Sequence, residues 1–322
     1  MKACARAHTN IALVKYWGKR DAKLILPQTD SLSLTLDPFY TDTSVEFDPQ
    51  LSQDQLVIDG QLVAKEKMGK VERVMDTIRQ WSGQNNFATI TSENHVPMSA
   101  GLASSASAFA ALAAAGAKAS GMKLSRRDLS RLARRGSGSA TRSIFGGLVQ
   151  WHRGSDDESS YAEPIMEKLD FGLEMIAILI DTSTKKVSSR GGMQLAVETS
   201  PFYPAWKEVV KHDLAQIKDA IQRRDIPAIG HIAQENALRM HALTLSADPG
   251  FTYFDGDTIT AMKVIDDLQA AGINCYYTMD AGPNVKVLYD RQDRNLILKR
   301  LGQVFNPDRL VVATAGPGVS YL

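Results

Sequence analysis

A loop that leads into an alanine-rich helix constrains this chain more than any other feature of its sequence. Residues 97–105 read Pro-Met-Ser-Ala-Gly-Leu-Ala-Ser-Ser, and alanine then dominates as far as Gly116. Proline and glycine break regular structure, whereas alanine is the strongest helix former. The pattern predicts a helix over Gly101–Ser120 whose first turn joins unpaired backbone N–H groups to serine hydroxyls. Such a turn suits a phosphate, and the competing interpretation is a serine-capped helix packed tightly in a core.

A second polar cluster ends an apolar run near the N-terminus. Residues 10–19 read Asn-Ile-Ala-Leu-Val-Lys-Tyr-Trp-Gly-Lys. The hydroxyl of Tyr16 and the point charge of Lys19 suit an anionic headgroup. A strand that ends in a solvated basic turn would give the same pattern. Residues 27–36 alternate polar and apolar side chains, which predicts a half-buried strand first and a wall of a site second.

Two further stretches combine serine with basic residues. Residues 136–142 read Gly-Ser-Gly-Ser-Ala-Thr-Arg, which predicts a flexible turn rich in donors, with the planar guanidinium of Arg142 suited to phosphate or carboxylate. A flexible loop before a strand is the alternative. Residues 185–190 read Lys-Lys-Val-Ser-Ser-Arg, and such basic turns are usually solvated surface. The loop 97–105 and the stretch 136–142 are thus two separate anion-binding segments, which suits a phosphoryl donor that faces a second anionic substrate.

A single carboxylate ends a predicted apolar strand late in the chain. Residues 279–285 read Met-Asp-Ala-Gly-Pro-Asn-Val, and aspartate is a common first residue of turns. Asp280 has a second interpretation, because a carboxylate beside a phosphoryl acceptor can orient or deprotonate a hydroxyl.

Composition narrows the class of protein. The 322 residues carry a formal net charge of +1 and are 44% hydrophobic, which predicts a sizeable core divided between two lobes. The balanced charge gives no reason to expect a nucleic acid or an anionic membrane as partner. Cys4 and Cys275 are the two cysteines, too few for a zinc site or a disulfide framework. The start of the chain has no apolar leader, so we expect a soluble, cytoplasmic protein.

Strands and helices mix without regular alternation, which predicts an α+β fold. The predicted strands are Phe39–Phe47, a hairpin over Gln55–Val63, Ile144–Trp151, Met175–Ile180, Ile273–Met279, Asn284–Leu288 and the apolar run Leu310–Ala313. The other predicted helices are Glu66–Trp81, Ser125–Arg135, Pro204–Arg224, Ile226–Ala242, Asp257–Ala271 and Arg291–Val304. A change in pattern near Ile180–Met193 predicts two domains, residues 1–183 and 184–322.

The phosphate-loop sequence resembles that of the GHMP kinase superfamily, and it is not a Walker loop because no Gly-Lys-Ser/Thr follows. Most of those kinases have a second glycine where this chain has Ala103, a replacement similar to that in the mevalonate diphosphate decarboxylase branch. The stretches 10–19, 27–36, 136–143, 185–193 and 279–285 resemble motifs of the same branch in the same order. The resemblance therefore covers nearly the whole chain.

The resemblance implies a fold and a reaction. The fold would be two-lobed and GHMP kinase-like. An ATP-binding N-terminal lobe would resemble ribosomal protein S5 domain 2, and the C-terminal lobe would be ferredoxin-like. The activity would be ATP-dependent decarboxylation of (R)-5-diphosphomevalonate to isopentenyl diphosphate through 3-hydroxyl phosphorylation, with ADP, phosphate and CO2 as the other products. ATP and Mg2+ would be the cofactors, and the protein would be a homodimer.

The same resemblance assigns residues to roles. The implied catalytic residues are Asp280, Arg142 and Lys19. The implied substrate-binding residues are Tyr16, Trp17, Gly18, Lys19, Ser137, Gly138, Ser139, Ala140, Thr141, Arg142, Ser189 and Arg190. The implied ATP-binding residues are Asn94, Met98, Gly101, Leu102, Ala103, Ser104, Ser105 and Lys186, with Ser104 also a Mg2+ ligand; Lys185 is the alternative to Lys186.

Two other functions stay open. One is a related enzyme that stops after phosphorylating the 3-hydroxyl or takes the 5-monophosphate. The other is a non-catalytic ATP-binding regulator on the same fold, which should lack the aspartate or the carboxylate-binding arginine.

Overall fold

The computed structural model describes residues 1–96, 104–180 and 187–322. The strands over those ranges are β1 (Lys2–Val14), β2 (Lys19–Asp21), β3 (Leu26–Pro27), β4 (Ser31–Asp48), β5 (Gln55–Ile58), β6 (Gln61–Leu62), β7 (Phe87–His95), β8 (Leu148–Trp151), β9 (Ala162–Met166), β10 (Leu173–Ile178), β11 (Cys275–Met279), β12 (Val285–Asp290), β13 (Leu310–Ala313) and β14 (Ser320–Tyr321). The α-helices are α1 (Gly69–Ser82), α2 (Ser104–Ala119), α3 (Arg126–Arg134), α4 (Ser189–Thr199), α5 (Tyr203–Gln222), α6 (Ile226–Leu245), α7 (Gly256–Ala270) and α8 (Arg294–Leu301).

The N-terminal sheet is built on the long antiparallel pair β1 and β4. Its strand order is β14-β1-β4-β7-β5-β6. In addition, β8 pairs with β4 and with β9. β5 and β7 run parallel, whereas β1, β4 and β7 are antiparallel, so the sheet is mixed. The last register pair of β1 joins Val14 to Leu32, and the chain then leaves the sheet toward the site.

The alanine-rich helix α2 lies against the N-terminal sheet. Residues 110–115 are at most 3% exposed, and they pack with the apolar sides of α1 and α3. Small side chains allow this close approach: a Cβ atom at Gly116 would lie 2.5 Å from Ile78 Cδ1. The tight-packing interpretation of the alanine run is therefore confirmed, and it places the first residues of α2 at a fixed point above the sheet.

The C-terminal sheet is antiparallel, with the order β11-β12-β10-β13 over its described strands. α7 and α8 cover one side of it. α5 and α6 pack between the two sheets, and their apolar residues share a core with β1, β4 and β10. Among the described residues, no helix is long and apolar enough to cross a membrane.

The mixed α+β class is confirmed, and most predicted elements exist with shifted ends. The prediction of a strand from Ile144 is wrong for its first residues, because residues 138–144 form a 3-10 helix and β8 begins at Leu148. The same finding corrects the expected flexible turn over 136–142: Ala140 and Ile144 are 0% exposed and belong to the core beneath α2 and α3. Among the described strands and α-helices, β2, β7, β9, β14 and α4 went unpredicted. The predicted domain boundary at 183 lies outside the described residues.

Candidate functional site

A cavity of about 470 Å3 opens where β1, the 3-10 helix, α2, α4 and the end of β11 come together. Segments far apart in the sequence supply its walls. The described residues that line it are Asn10, Ala12, Lys15, Tyr16, Trp17, Lys19, Ile25, Lys70, Val96, Ser104, Ser105, Gly136, Ser137, Gly138, Ser139, Arg142, Ser188, Ser189, Arg190, Met193, Met240, Asp280 and Ala281.

The described lining is strongly cationic. Its cationic side chains are Lys15, Lys19, Lys70, Arg142 and Arg190, and its one carboxylate in the described ranges is Asp280. Five positive charges against one negative charge, in a chain whose net charge is only +1, concentrate positive potential at this point. Such a cavity suits a polyanionic ligand.

Asp280 lies directly after β11 and faces two lysines. Lys15 Nζ is 2.8 Å from Asp280 Oδ1, and Lys286 Nζ is 3.8 Å from Oδ2. The side chain of Asp280 keeps 28% of its surface exposed toward the cavity. The two ammonium groups hold the carboxylate in one orientation while leaving it open to a ligand.

Lys15 is the buried partner in this pair. The residue is 1% exposed, and its ammonium also donates to Ala12 O at 2.7 Å. Burial lowers the pKa of Lys15, and the neighbouring Asp280 carboxylate opposes that shift. Removing either partner would leave a charge poorly compensated at the base of the cavity.

Arg142 is a buried guanidinium whose hydrogen bonds go to neutral groups. It is 2% exposed, Nη1 donates to Ser31 Oγ at 2.5 Å, and Nε donates to Asn10 Oδ1 at 3.3 Å. Burial lowers the pKa of Arg142 to about 10, which leaves it charged at neutral pH. Within the described ranges no carboxylate lies within salt-bridge distance of it, so an anionic group of a ligand could serve as its counterion.

The segment after β1 supplies an aromatic and a basic wall. Tyr16 Oη is buried without a hydrogen-bond partner among the described residues, and burial raises the pKa of this phenol. Lys19 lies beside Arg190, and burial followed by that like charge lowers the pKa of Lys19 to about 8.

Gly18 and Trp17 anchor this segment to α5. Tyr203 Oη donates to Trp17 O at 2.8 Å. Gly18 has a φ of +117°, and a Cβ atom there would lie 1.8 Å from Tyr203 Oη, so only glycine fits. Tyr16 and Lys19 are thereby held on either side of a fixed turn.

Serines form the polar rim of the cavity in two groups. Ser104 and Ser105 begin α2, and Ser105 Oγ lies 3.4 Å from Ser137 Oγ. Ser137 Oγ in turn lies 3.1 Å from Ser139 Oγ. On the other side, Ser188 caps α4 by accepting a hydrogen bond from the Gly191 amide, and this cap sets Ser189 and Arg190 in the first turn.

The structure brings most of the predicted site residues together. Tyr16, Trp17, Lys19, Ser137, Gly138, Ser139, Arg142, Ser189, Arg190, Ser104, Ser105 and Asp280 all line the cavity. Gly18, Ala140, Thr141 and Asn94 do not line it. Asn94 lies on β7, where its side chain donates to Asp59 at 3.2 Å. Met98, Gly101, Leu102, Ala103, Lys185 and Lys186 lie outside the described residues.

Several residues of the site were not predicted. Asn10 and Lys15 belong to the quoted stretch 10–19, and Asn10 shares the cavity-facing side of β1 with Ala12, as the alternation of a strand requires. Lys70 lies in the first turn of α1 with no motif around it. Lys286 reaches the site because β12 pairs with β11. The alternation of Asn10 with Ala12 was the available signal for Asn10, whereas Lys15 is out of phase with it and follows the end of β1.

Comparisons with known proteins place this geometry in a family. Residues 7–162 match a family profile described as "Diphosphomevalonate decarboxylase-like N-terminal domain", and residues 175–316 match "Mevalonate 5-diphosphate decarboxylase C-terminal domain". A diphosphomevalonate decarboxylase of Ganoderma lucidum is 34% identical over 94% of this chain and 82% of its own length.

Solved structures are more similar still. One described as MDDEF in complex with MVAPP, AMPPCP and magnesium is 49% identical, covers 100% of this chain and 99% of its own, and superposes with a TM-score of 0.96. A mevalonate diphosphate decarboxylase from Enterococcus faecalis is 48% identical over 100% of this chain and 99% of its own, with a TM-score of 0.95.

Proposed function

The chain belongs to the diphosphomevalonate decarboxylase family, and we propose that it converts (R)-5-diphosphomevalonate and ATP to isopentenyl diphosphate, ADP, phosphate and CO2. The 3-hydroxyl oxygen attacks the γ-phosphoryl group, and ADP leaves. The 3-phosphate then departs with the C3–O electron pair. The C1–C2 bond breaks, its electrons form the C2=C3 double bond, and C1 leaves as CO2.

The observation that carries this proposal is the buried, cationic end of the cavity. Arg142 has no protein carboxylate within salt-bridge distance in the described ranges, and it lies in the same cavity as Asp280. A substrate with a carboxylate at one end and a hydroxyl beside it would present the first to Arg142 and the second to Asp280. The planar guanidinium can bind both carboxylate oxygens and keep C1 aligned with C3.

Asp280 acts on the 3-hydroxyl mainly by orienting it. Both of its oxygens face ammonium groups, which favours the charged carboxylate as a hydrogen-bond acceptor. Phosphoryl transfer passes through a loose transition state, so the hydroxyl proton is lost late and needs a placed acceptor more than a strong base. Arg142 and Lys19 are the other proposed catalytic residues, because both place positive charge where anionic groups approach each other.

The diphosphate headgroup has its own proposed set of residues around the opening of the cavity. They are Tyr16, Trp17, Gly18, Lys19, Ser137, Gly138, Ser139, Ala140, Thr141, Ser189 and Arg190. Tyr16 offers a hydroxyl that has no partner among the described residues, and Lys19 and Arg190 supply charge. Gly18, Ala140 and Thr141 shape the backbone instead of lining the cavity.

ATP is proposed to occupy the side formed by the start of α2. Ser104 and Ser105 lie there, and the family resemblance adds Asn94, Met98, Gly101, Leu102, Ala103 and Lys186. In the described ranges, no group of three or more His, Cys, Asp and Glu side chains is placed to hold a metal ion. Mg2+ usually keeps several phosphate and water ligands, and the Ser104 hydroxyl, which lines the cavity, is the protein ligand proposed for it. When bound, Mg2+ neutralises charge that develops on the transferring phosphate.

Other features of the family remain proposals for this chain. We assign residues 1–183 to an ATP-binding lobe like ribosomal protein S5 domain 2 and 184–322 to a ferredoxin-like lobe, together a GHMP kinase-like fold. The mixed N-terminal sheet and the antiparallel sheet with α7 and α8 support that division. A homodimer and a cytoplasmic location stay predictions.

A coupled assay that follows ADP and CO2 together distinguishes this function from its alternatives. A kinase that stops at the 3-phosphate gives ADP without CO2, and a regulator gives neither. The presence of both Asp280 and Arg142 in the cavity favours the complete reaction.

A further inference from the structure

A buried hydrogen-bond chain connects the α5–α6 pair to the backbone of Lys15. Lys15 N donates to Asn236 Oδ1 at 2.8 Å, and Asn236 Nδ2 donates to Asp213 Oδ2 at 2.8 Å. Arg239 Nη1 then donates to both oxygens of Asp213 at 3.1 Å. Asn236 is 0% exposed and Asp213 is 3% exposed, so water does not compete for the two bonds of Asn236, whereas the Arg239 side chain reaches Asp213 from the surface.

The donor and acceptor groups of this hydrogen-bond chain fix the direction of each bond. The backbone amide of Lys15 can only donate, so it requires the oxygen of the Asn236 side chain. The amide nitrogen must then find an acceptor, and the carboxylate of Asp213 is one. Arg239 supplies the counter-charge of that carboxylate. A fully satisfied buried network of this kind holds its members in one arrangement.

The position of Lys15 shows which group the hydrogen-bond chain holds in place. The β1–β4 register ends at Val14, so Lys15 is the first residue beyond the sheet, and its amide bonds to Asn236 instead of a strand. At the other end of the residue, the ammonium is held by Ala12 O and Asp280. Asn236 therefore fixes the point from which the Lys15 side chain reaches the carboxylate.

We infer that Asn236 is a positioning residue for the proposed reaction, acting through Lys15 to set the orientation of Asp280. This inference rests on the proposed function, and it adds to the site a residue that does not line the cavity. Asn236 touches no lining group other than Lys15 in the bonds described above, so its effect reaches the site through that backbone amide.

A charge swap tests the inference. Asn236→Asp places a second carboxylate against Asp213, so the network breaks and Lys15 shifts. We expect kcat to fall about tenfold to a hundredfold, since small misplacements in a site cost that much, while KM for both substrates stays within a few-fold. The double variant Asn236→Asp with Asp213→Asn exchanges the two groups: position 236 still accepts from the Lys15 amide, position 213 donates to position 236, and Arg239 keeps one of its two bonds to position 213. The double variant should therefore restore much of the lost kcat.

The pH dependence of kcat separates positioning from mere folding. The charged groups that face Lys15 are Asp280 and Arg142, and Lys286 approaches Asp280 from β12. Burial lowers the pKa of nearby His241 to about 3, so His241 is neutral. Pairing with Asp280 raises the pKa of Lys15 against burial. A loosened pair loses that contribution, so the alkaline limb of kcat moves to lower pH in Asn236→Asp and returns in the double variant.

Thr244→Val is the matched control, because Thr244 is a fully buried polar residue of α6 whose hydroxyl donates to His241 O within the same helix. It should lower Tm and leave the pH profile of kcat unchanged. Should Asn236→Asp not fold, Asn236→Ser removes the two bonds without adding charge and is read in the same way.

An unchanged kcat and pH profile in the single variant, or a folded double variant as slow as the single one, overturns the inference. Failure of the wild type to release ADP and CO2 in the same assay would overturn the proposed function instead.

Discussion

The ammonium of Lys15 lies 2.8 Å from Asp280 Oδ1, and the lysine is 1% exposed. The two residues are 265 positions apart in the chain. Lys15 comes from the first strand and Asp280 from the end of β11, so the carboxylate is aligned only when the N-terminal and C-terminal sheets pack around α5 and α6. The Lys15–Asp280 pair therefore forms only once the two sheets have packed together.

Asp280→Asn should nearly abolish turnover and leave ATP affinity within a few-fold. The amide keeps the size of the side chain but cannot accept the hydroxyl proton, and it loses its attraction to Lys15 and Lys286. The loss should exceed the ~10²–10⁴-fold typical of removing a general base, because orientation is lost too. Steady-state turnover and nucleotide titration on one preparation measure both effects. A variant that keeps a large share of wild-type turnover would remove Asp280 from the mechanism.

Arg142→Lys should lose most CO2 release while ATP binding survives. Lysine keeps the charge but lacks the planar fork that binds two carboxylate oxygens, and it cannot reach both Ser31 and Asn10. CO2 release, ADP formation and nucleotide affinity are measured on the same preparation. Release of CO2 at a near wild-type rate would mean that Arg142 is only structural.

Ser104→Ala and Ser189→Ala should affect opposite ligands. Ser104 begins α2 on the proposed ATP side, whereas Ser189 begins α4 on the proposed substrate side. Ser104→Ala should weaken productive use of Mg-ATP more than binding of the isoprenoid substrate, and Ser189→Ala should do the reverse. Titration of each ligand against each variant decides the matter. Equal effects on both ligands from both variants would show that the two anion sites are assigned wrongly.

Lys19→Arg should move the alkaline limb of kcat/KM for the diphosphate substrate to higher pH. Burial and Arg190 lower the pKa of Lys19 to about 8, so its positive charge is present below that pH and lost above it. Diphosphate binding needs the charge, and kcat/KM therefore falls as the pH rises through this value in the free enzyme. Arginine stays charged throughout, so the fall should move to higher pH.

Lys23→Arg, at an exposed position in the turn after β2, is the control and should leave the profile as in the wild type. A limb that persists unchanged in Lys19→Arg would assign it to another group.

Local pattern predicted the elements whose signals are strong and the motifs whose residues are adjacent in the chain. Residues 31–36 of the alternating stretch 27–36 lie in β4, whereas Pro27 ends β3 and residues 28–30 are not strand. The alanine run is α2. The stretch 136–142 misled because glycine and serine suggest flexibility, yet Ala140 and Ile144 anchor it in the core. No local pattern reports that kind of tertiary burial.

The groups that complete the site escaped prediction for a related reason. In the sequence, Lys15 is one of several basic residues near a turn, and its role depends on Asp280, which is distant in the chain. Asn236 is likewise an ordinary helical residue in the sequence, and its role depends on the Lys15 amide. Both roles are relations between distant segments. Lys70 gave no signal at all, because nothing in the sequence around it marks the first turn of α1 as a cavity wall.

The most direct test of the central claim is one assay with ATP, Mg2+ and (R)-5-diphosphomevalonate in which ADP and CO2 are followed together. The account predicts that both products appear at equal rates, and that isopentenyl diphosphate accumulates to the same amount. Formation of ADP without CO2, or of neither product by folded protein that binds ATP, would contradict it.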